Sequence, residues 1–223
     1  MKKGVAIFDL SDTLVSTTAV WREAYCALVK ELGIHMNAKE SRILEEKGVN
    51  NALEALMDYH RVPYTHSELM LKLARYAIAD FNRDATLMSG ASEAVCKMRD
   101  DGYYTAVITN ANNAFSELAK KKFFIELPMD GWYNTREMNL QKDDIKLYEK
   151  IASDFGVDVR SCILFDNSEP VIRSVAKMGL STVYISDKKI KEAKYCLPSL
   201  CALTQRKVHT PTRTFVYTEN LLF

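Results

Sequence analysis

Apolar positions along the chain follow two rhythms. Four short runs are continuous: Val5 to Phe8, Thr105 to Ile108, Cys162 to Phe165 and Thr182 to Ile185. Runs of this length, with β-branched residues, predict strands buried on both faces of a parallel sheet. Between them the spacing changes to three and four. Asn112 to Lys122 predicts one helix. Asp143 to Phe155 predicts a second, with Ile145, Tyr148, Ile151 and Phe155 on one face and Gly156 as its stop. Glu169 to Met178 predicts a third, opened by Pro170 and closed by Gly179. Strands alternating with helices predict an α/β fold, a mainly parallel sheet covered by helices on both faces.

Between the first and second strands no strand signal occurs. Val20, Ala24, Leu28 and Leu32 form an i+4 stripe that ends at Gly33. Asn37 with Glu40, and Thr65 with Glu68, have the spacing of helix-opening capping boxes. Leu53, Leu56 and Met57 make a further apolar face, as do Leu69, Leu73, Tyr76 and Phe81. A helical stretch of this size is too long for a loop. Residues 16–85 therefore read as an all-helical domain inserted into a core made of residues 1–15 and 86–203. Residues 204–223 read as a C-terminal tail, in which Thr214 to Thr218 is either a short edge strand or irregular chain.

Composition narrows the partners. Hydrophobic residues make up 48% and charged residues 26%, an ordinary globular balance. The net charge is +1, and the insert holds nine Lys and Arg against ten Asp and Glu. Neither gives the electrostatic footprint of a nucleic-acid or anionic-membrane binder. No apolar run approaches the roughly 20 residues of a membrane helix. The first apolar run ends at Asp9, well short of the about 7–15 residues of a signal peptide, so the expected compartment is the cytoplasm. The five cysteines, Cys26, Cys96, Cys162, Cys196 and Cys201, fit no zinc spacing. Cys162, inside an apolar run, reads as a buried free thiol.

Polar residues gather where strands end. Asp9-Leu10-Ser11-Asp12-Thr13, Thr109-Asn110 and Asp166-Asn167-Ser168 each follow an apolar run, and Lys142 stands before a helix. In open α/β sheets ligands bind at the carboxyl ends of strands. A carboxylate that attacks phosphorus forms an acyl phosphate, splitting one hard displacement into two, and Asp9 is the candidate. The Thr109 hydroxyl and the Asn110 backbone N–H are candidate phosphate donors, with Lys142 supplying charge beside them. Each has a plainer counterpart: an Asp that caps a turn, a Thr that satisfies backbone, a solvated Lys.

Four segments in order resemble the haloacid dehalogenase superfamily. Ile7-Phe8-Asp9-Leu10-Ser11-Asp12-Thr13-Leu14 is similar to its first motif and Val107-Ile108-Thr109-Asn110 to its second. Lys142-Asp143-Asp144-Ile145-Lys146-Leu147-Tyr148 is similar to its third, and Ile163 through Gly179 stands where the fourth belongs. The insert resembles the helical cap of the β-phosphoglucomutase and phosphonatase branch, with Trp21-Arg22-Glu23-Ala24-Tyr25 at a recurrent His-x-x-Ala-aromatic position and Ser89-Gly90 at a Pro-Gly position. The resemblance implies a Rossmann-like three-layer core with a helical cap, and an Mg²⁺-dependent phosphatase of a small phosphorylated metabolite. It implies Asp9, Ser11 and Lys142 as catalytic positions. Leu10, Ser11, Thr109, Asn110 and Lys142 become the phosphate contacts. Asp9, Ser11 through its carbonyl, Asp166 and Asn167 become the metal ligands.

Two departures bear on turnover. Ser11 stands where the family's phosphatases place a second Asp that protonates the leaving group; such a group contributes roughly 10²–10⁴-fold. In the fourth motif, Asn167 falls at the usual metal-binding Asp, with Asp166 one residue before it, and Val171 at a second acidic position. Asn167 offers an oxygen without a charge. The alternative reading is a catalytically degenerate member that binds a phosphorylated ligand or a protein partner. A phosphotransferase or mutase is disfavoured, because that chemistry needs the missing acid. Trp21 and Tyr25 either face the substrate or pack between cap helices. His35, His60 and His66 have no metal-site spacing, and Lys120-Lys121-Lys122 reads as a charge cluster favourable at its own helix C-terminus.

Overall fold

In the computed structural model, which describes residues 2–204, the four apolar runs form the middle of a six-stranded sheet. The Thr214 to Thr218 segment lies outside the described residues. In chain order the elements are β1 (Val5–Asp9), β2 (Val15–Ser16), α1 (Thr18–Glu31), α2 (Ala38–Lys47), α3 (Val49–His60), α4 (His66–Asp84), β3 (Thr86–Leu87) and α5 (Ala91–Asp100). They continue as β4 (Tyr104–Thr109), α6 (Asn113–Lys122), β5 (Gly131–Asn134), α7 (Ile145–Asp154), β6 (Ile163–Asp166), α8 (Glu169–Lys177), β7 (Ser181–Ile185), β8 (Tyr195–Leu197) and α9 (Cys201–Thr204). The large sheet runs β5-β4-β1-β6-β7-β8, with all its neighbours parallel.

Strand alternation explains the layers. Val5 and Ile7 of β1 face one side, where they meet Ala106, Ile108 and Leu164 of neighbouring strands under Leu147, Tyr148 and Ile151 of α7 and Ile172 and Val175 of α8. Phe8 points the other way and stacks on Phe165 at 4.5 Å. Because both faces are covered, these strands show no polar alternation. The two outer strands, β5 and β8, escape the sequence pattern. Edge strands pack against fewer neighbours, and most of their residues are half-buried, so no continuous apolar run marks them.

The chain divides into two compact units. One comprises the chain up to Leu14, Leu87–Ala111 and the chain from Phe123 on; it holds the large sheet. Within it Gly90 begins α5 with φ 81°, and a Cβ there would lie 2.4 Å from the Cys201 backbone nitrogen. Only glycine suits both demands.

The other unit comprises Val15–Thr86 and Asn112–Lys122. Both capping boxes form: Asn37 accepts from the Glu40 N–H at 3.0 Å, and Thr65 from the Glu68 N–H at 3.3 Å. The buried Tyr25 donates its hydroxyl to the Ala52 carbonyl at 3.0 Å, and Trp21 stacks on Phe115 at 5.1 Å, so both aromatics pack inside this unit. Helix α6 groups here although sequence order put it with the core. Phe115 meets Phe81 edge-on at 4.5 Å, and Lys122 donates to the carbonyls of Asn82 at 2.7 Å and Ala85 at 2.6 Å. Lys122 therefore serves the C-terminal end of α4, not only that of its own helix. His60 meets the buried Glu40 at 2.6 Å, a pairing the histidine spacing did not disclose. No helix among the described residues is long and apolar enough to cross a membrane.

Candidate active site

Sheet register brings the site together. β1 pairs with β6 so that Phe8 lies beside Phe165, and the next residue on each strand is an aspartate, Asp9 and Asp166. Adjacent strands are about 4.8 Å apart, so two buried carboxylates are held as neighbours. On the other side β1 pairs with β4, which places Asp9 beside Ile108 and the following Thr109 at the same sheet edge. The polar strand ends seen in the sequence thus converge on one end of β4, β1 and β6.

Lys142 neutralises part of this charge. It lies in the turn before α7, whose N-cap is Asp144, rather than on the helix itself. Its ammonium donates to Asp9 Oδ1 and to Asp166 Oδ2, the latter at 3.3 Å. Tyr148, buried on α7, donates its hydroxyl to the Lys142 carbonyl at 2.7 Å and fixes that turn. The other Asp9 oxygen accepts from the Thr13 hydroxyl at 3.3 Å. Asp166 Oδ1 accepts the Ser168 N–H at 2.7 Å, and its carboxylate also receives the Asn167 N–H.

Two carboxylates sharing one ammonium titrate unusually. Burial, and then the charge of Asp166, push the Asp9 carboxyl up to about 7, against the pull of Lys142. Burial likewise raises Asp166, opposed by Lys142 and by its backbone donors. Burial works to lower the Lys142 ammonium, but the two carboxylates outweigh it and the net shift is upward.

The remaining sites of interest behave differently from one another. Thr109 is buried, and its hydroxyl oxygen accepts the Ala111 N–H at 3.1 Å, leaving its proton to donate. Asn110 is exposed at the strand end, and its carbonyl accepts from Arg136 Nε at 2.6 Å. Leu10 is fully buried, and its N–H donates to the Ile108 carbonyl at 3.2 Å. Asp12 has φ 58°, the left-handed region that aspartate tolerates, and so turns the chain after the first motif. Ser11 is half-buried, and its hydroxyl has no hydrogen-bond partner among the described residues. The Asn167 side chain is likewise half-buried without such a partner. Thr13, Tyr148 and Arg136 carried no assigned role in the sequence. Thr13 stood within the first motif and Tyr148 within the third as well as on an apolar helix face, so only Arg136 had no readable signal.

One further acidic group, Glu23, Asp80 and Asp84, clusters within 4.8 Å in the inserted unit. Arg83 already lies among them, at 3.5, 2.9 and 2.7 Å respectively, and supplies the counter-charge.

Comparison with known proteins gives the family and supports the fold. The family model described as haloacid dehalogenase-like hydrolase matches residues 6–185. Validoxylamine A 7'-phosphate phosphatase of Streptomyces hygroscopicus subsp. limoneus is 24% identical over 85% of this chain and 88% of its own. Hexitol phosphatase B of Escherichia coli O157:H7 is 20% identical over 90% of this chain and 92% of its own. Among solved structures, the HAD hydrolase YfnB of Bacillus subtilis, bound to magnesium, superposes with a TM-score of 0.72 at 16% identity, covering 91% of this chain and 97% of that one.

Proposed function

The chain belongs to the haloacid dehalogenase-like hydrolase family, and on that footing we propose that it hydrolyses a small phosphorylated metabolite through a phosphoryl intermediate on Asp9. What supports this most is Asp9 itself, a buried carboxylate at a strand end, held by Lys142 and Thr13 beside the Thr109 hydroxyl's strand end. The named activities of the two curated relatives, both phosphatases acting on small phosphorylated compounds, point the same way.

In this reading an Asp9 oxygen attacks phosphorus, the bond from phosphorus to the leaving oxygen breaks, and the departing alkoxide takes its proton from water. Water then attacks the acyl phosphate, freeing inorganic phosphate and the Asp9 carboxylate. Lys142 orients the nucleophile and balances charge on the phosphoryl group. The Thr109 proton and the Asn110 N–H serve its oxygens.

With Asp9 ionised for attack, Asp9, Asp166 and Lys142 sum to one negative charge, which repels a phosphate dianion. The oxygen donors around Asp9 suit a hard cation: its carboxylate, the Ser11 carbonyl, and the Asn167 or Asp166 side chain. Asp166 would bring a charge but already holds Lys142 and two backbone amides, whereas Asn167 would bring a neutral oxygen. Bound Mg²⁺ would supply positive charge that offsets the charge of the phosphate.

The test is a panel of phosphoesters assayed with and without Mg²⁺, for the parent and for Asp9→Asn. Hydrolysis that survives the substitution unchanged refutes the mechanism. A second reading rests on the unpartnered Ser11 hydroxyl: a protein that binds a phosphorylated ligand or a protein partner and does not turn over. Absence of hydrolysis across the panel, with no measurable Mg²⁺ binding, favours that reading.

A further inference from the structure

The turn after β5 is fastened from several sides. The Thr135 N–H donates to the Thr109 carbonyl at 2.9 Å, and the Asn134 side chain donates to the Ala111 carbonyl at 3.1 Å. Asn134 Oδ1 accepts the Arg136 N–H at 3.0 Å, and the Leu140 N–H closes the turn on the Thr135 carbonyl at 2.9 Å. Asn139, at φ 53°, adopts the left-handed backbone that asparagine tolerates. The exposed Arg136 side chain leaves this turn and is tied to the strand end through Nε, which donates to the Asn110 carbonyl at 2.6 Å.

Beside it opens a cleft of about 450 Å³, lined by Asn110, Thr135, Arg136, Asn139, Leu140 and Gln141. Arg136 is the sole charged residue of that lining. It enters no ion pair with a described residue, and its two terminal nitrogens have no partner among them. Lys142, next in the chain after Gln141, is already held by Asp9 and Asp166. An arginine tethered through Nε keeps its Nη edge, two N–H groups directed the same way, which matches the two oxygens of a carboxylate. One guanidinium balances one negative charge. A second phosphate, carrying nearly two, would be left partly uncompensated, and a neutral polyol has no use for the charge.

We propose that Arg136 forms a carboxylate subsite next to the phosphate-binding strand end, so that the preferred substrate is a phosphorylated carboxylic acid. This deepens the phosphatase reading and rests on it. The carboxylate would lie in the cleft against Arg136, while the phosphate sits at Thr109, Asn110 and Lys142.

The experiment compares 3-phosphoglycerate with glycerol 3-phosphate, which differ by a carboxylate in place of a hydroxymethyl group. In the parent protein kcat/KM should favour 3-phosphoglycerate about 10-fold or more, chiefly through KM. Arg136→Gln should bring the ratio toward one, and Arg136→Lys should recover only part of it. A ratio that Arg136→Gln leaves unchanged overturns the proposal. An equal loss on both compounds overturns it too, because that puts Arg136 on the shared phosphate. Preference for 1,3-propanediol bisphosphate over 3-phosphoglycerate overturns the choice of carboxylate. If neither compound is hydrolysed, calorimetry on Asp9→Asn, with and without Arg136→Gln, separates the two ideas. An Arg136-dependent preference for 3-phosphoglycerate sustains the subsite while the hydrolase reading falls. No preference overturns the subsite.

Discussion

Asp9 and Asp166 end neighbouring parallel strands one residue beyond the paired Phe8 and Phe165, and they share the single ammonium of Lys142. Parallel register fixes this closeness; neither aspartate can retreat without unzipping its strand. With both carboxylates ionised the side-chain cluster carries an excess buried negative charge, a state that costs stability and that a cationic ligand relieves.

The first prediction concerns pH. The Asp9 carboxyl is raised from 3.8 to about 7 in the folded chain. As pH climbs through that window the unfolded chain gives up the Asp9 proton first, so folding stability falls with rising pH. Asp9→Asn removes this cost while keeping an acceptor for Lys142. In chelator-treated protein the variant should be more stable than the parent at pH 8, by on the order of 1–4 kcal/mol, with the gap closing toward pH 4. Denaturant titrations at several pH values measure it. A gap that does not change with pH contradicts the shared-ammonium account.

Removing the ammonium should do the reverse. Lys142→Met leaves two buried carboxylates without a counter-charge and should cost about 3–5 kcal/mol at neutral pH. Adding Asp166→Asn to that variant should recover part of the loss, since one anion is gone and the amide oxygen still accepts the Ser168 N–H. A double-mutant cycle read by urea unfolding gives the coupling. Strictly additive effects would show that the two residues do not interact.

These charges were only half legible in the sequence. That apolar runs end at Asp9, Thr109 and Asp166 is visible in the chain, because a doubly buried strand must end where polar residues begin. Which strand ends touch is not visible. Adjacency of Asp9 and Asp166 depends on strand order, set by where the helical connections pack. Arg136 was missed for a related reason: it follows β5, an edge strand too lightly buried to show an apolar run. Helix α6 misled in another way. Its own apolar face is plain, but the partner of that face, Phe81 and Trp21 in the inserted unit, lies far away in the chain.

Ser11 gives the third prediction. Its hydroxyl has no partner among the described residues that would make it an acid or a base. Ser11→Asp should raise kcat by about 10²–10⁴-fold for alkyl phosphates, whose alkoxide must be protonated as it leaves. The gain should be smaller for p-nitrophenyl phosphate, whose leaving group departs unprotonated. Equal gains on both substrates would mean that the new carboxylate acts on water or on the metal rather than on the leaving group. No gain on either would mean that the missing acid is not what limits turnover.

Tyr148 tests whether the turn bearing Lys142 needs its anchor. The hydroxyl reaches the Lys142 carbonyl at 2.7 Å from a position buried on α7, while burial holds the phenol far above its usual pKa and so keeps it a donor at any working pH. Tyr148→Phe removes this one part-buried bond and leaves the ring packed, which should lower stability by about 0.5–1.5 kcal/mol, the usual net worth of such a bond. Turnover should fall several-fold through kcat, with KM little changed, since Lys142 positions the nucleophile rather than the body of the substrate. The pH dependence should move as well: a looser Lys142 screens Asp9 less, so the acidic limb of the kcat profile should shift to higher pH. A variant that loses stability but keeps both kcat and that limb would assign Tyr148 to packing alone.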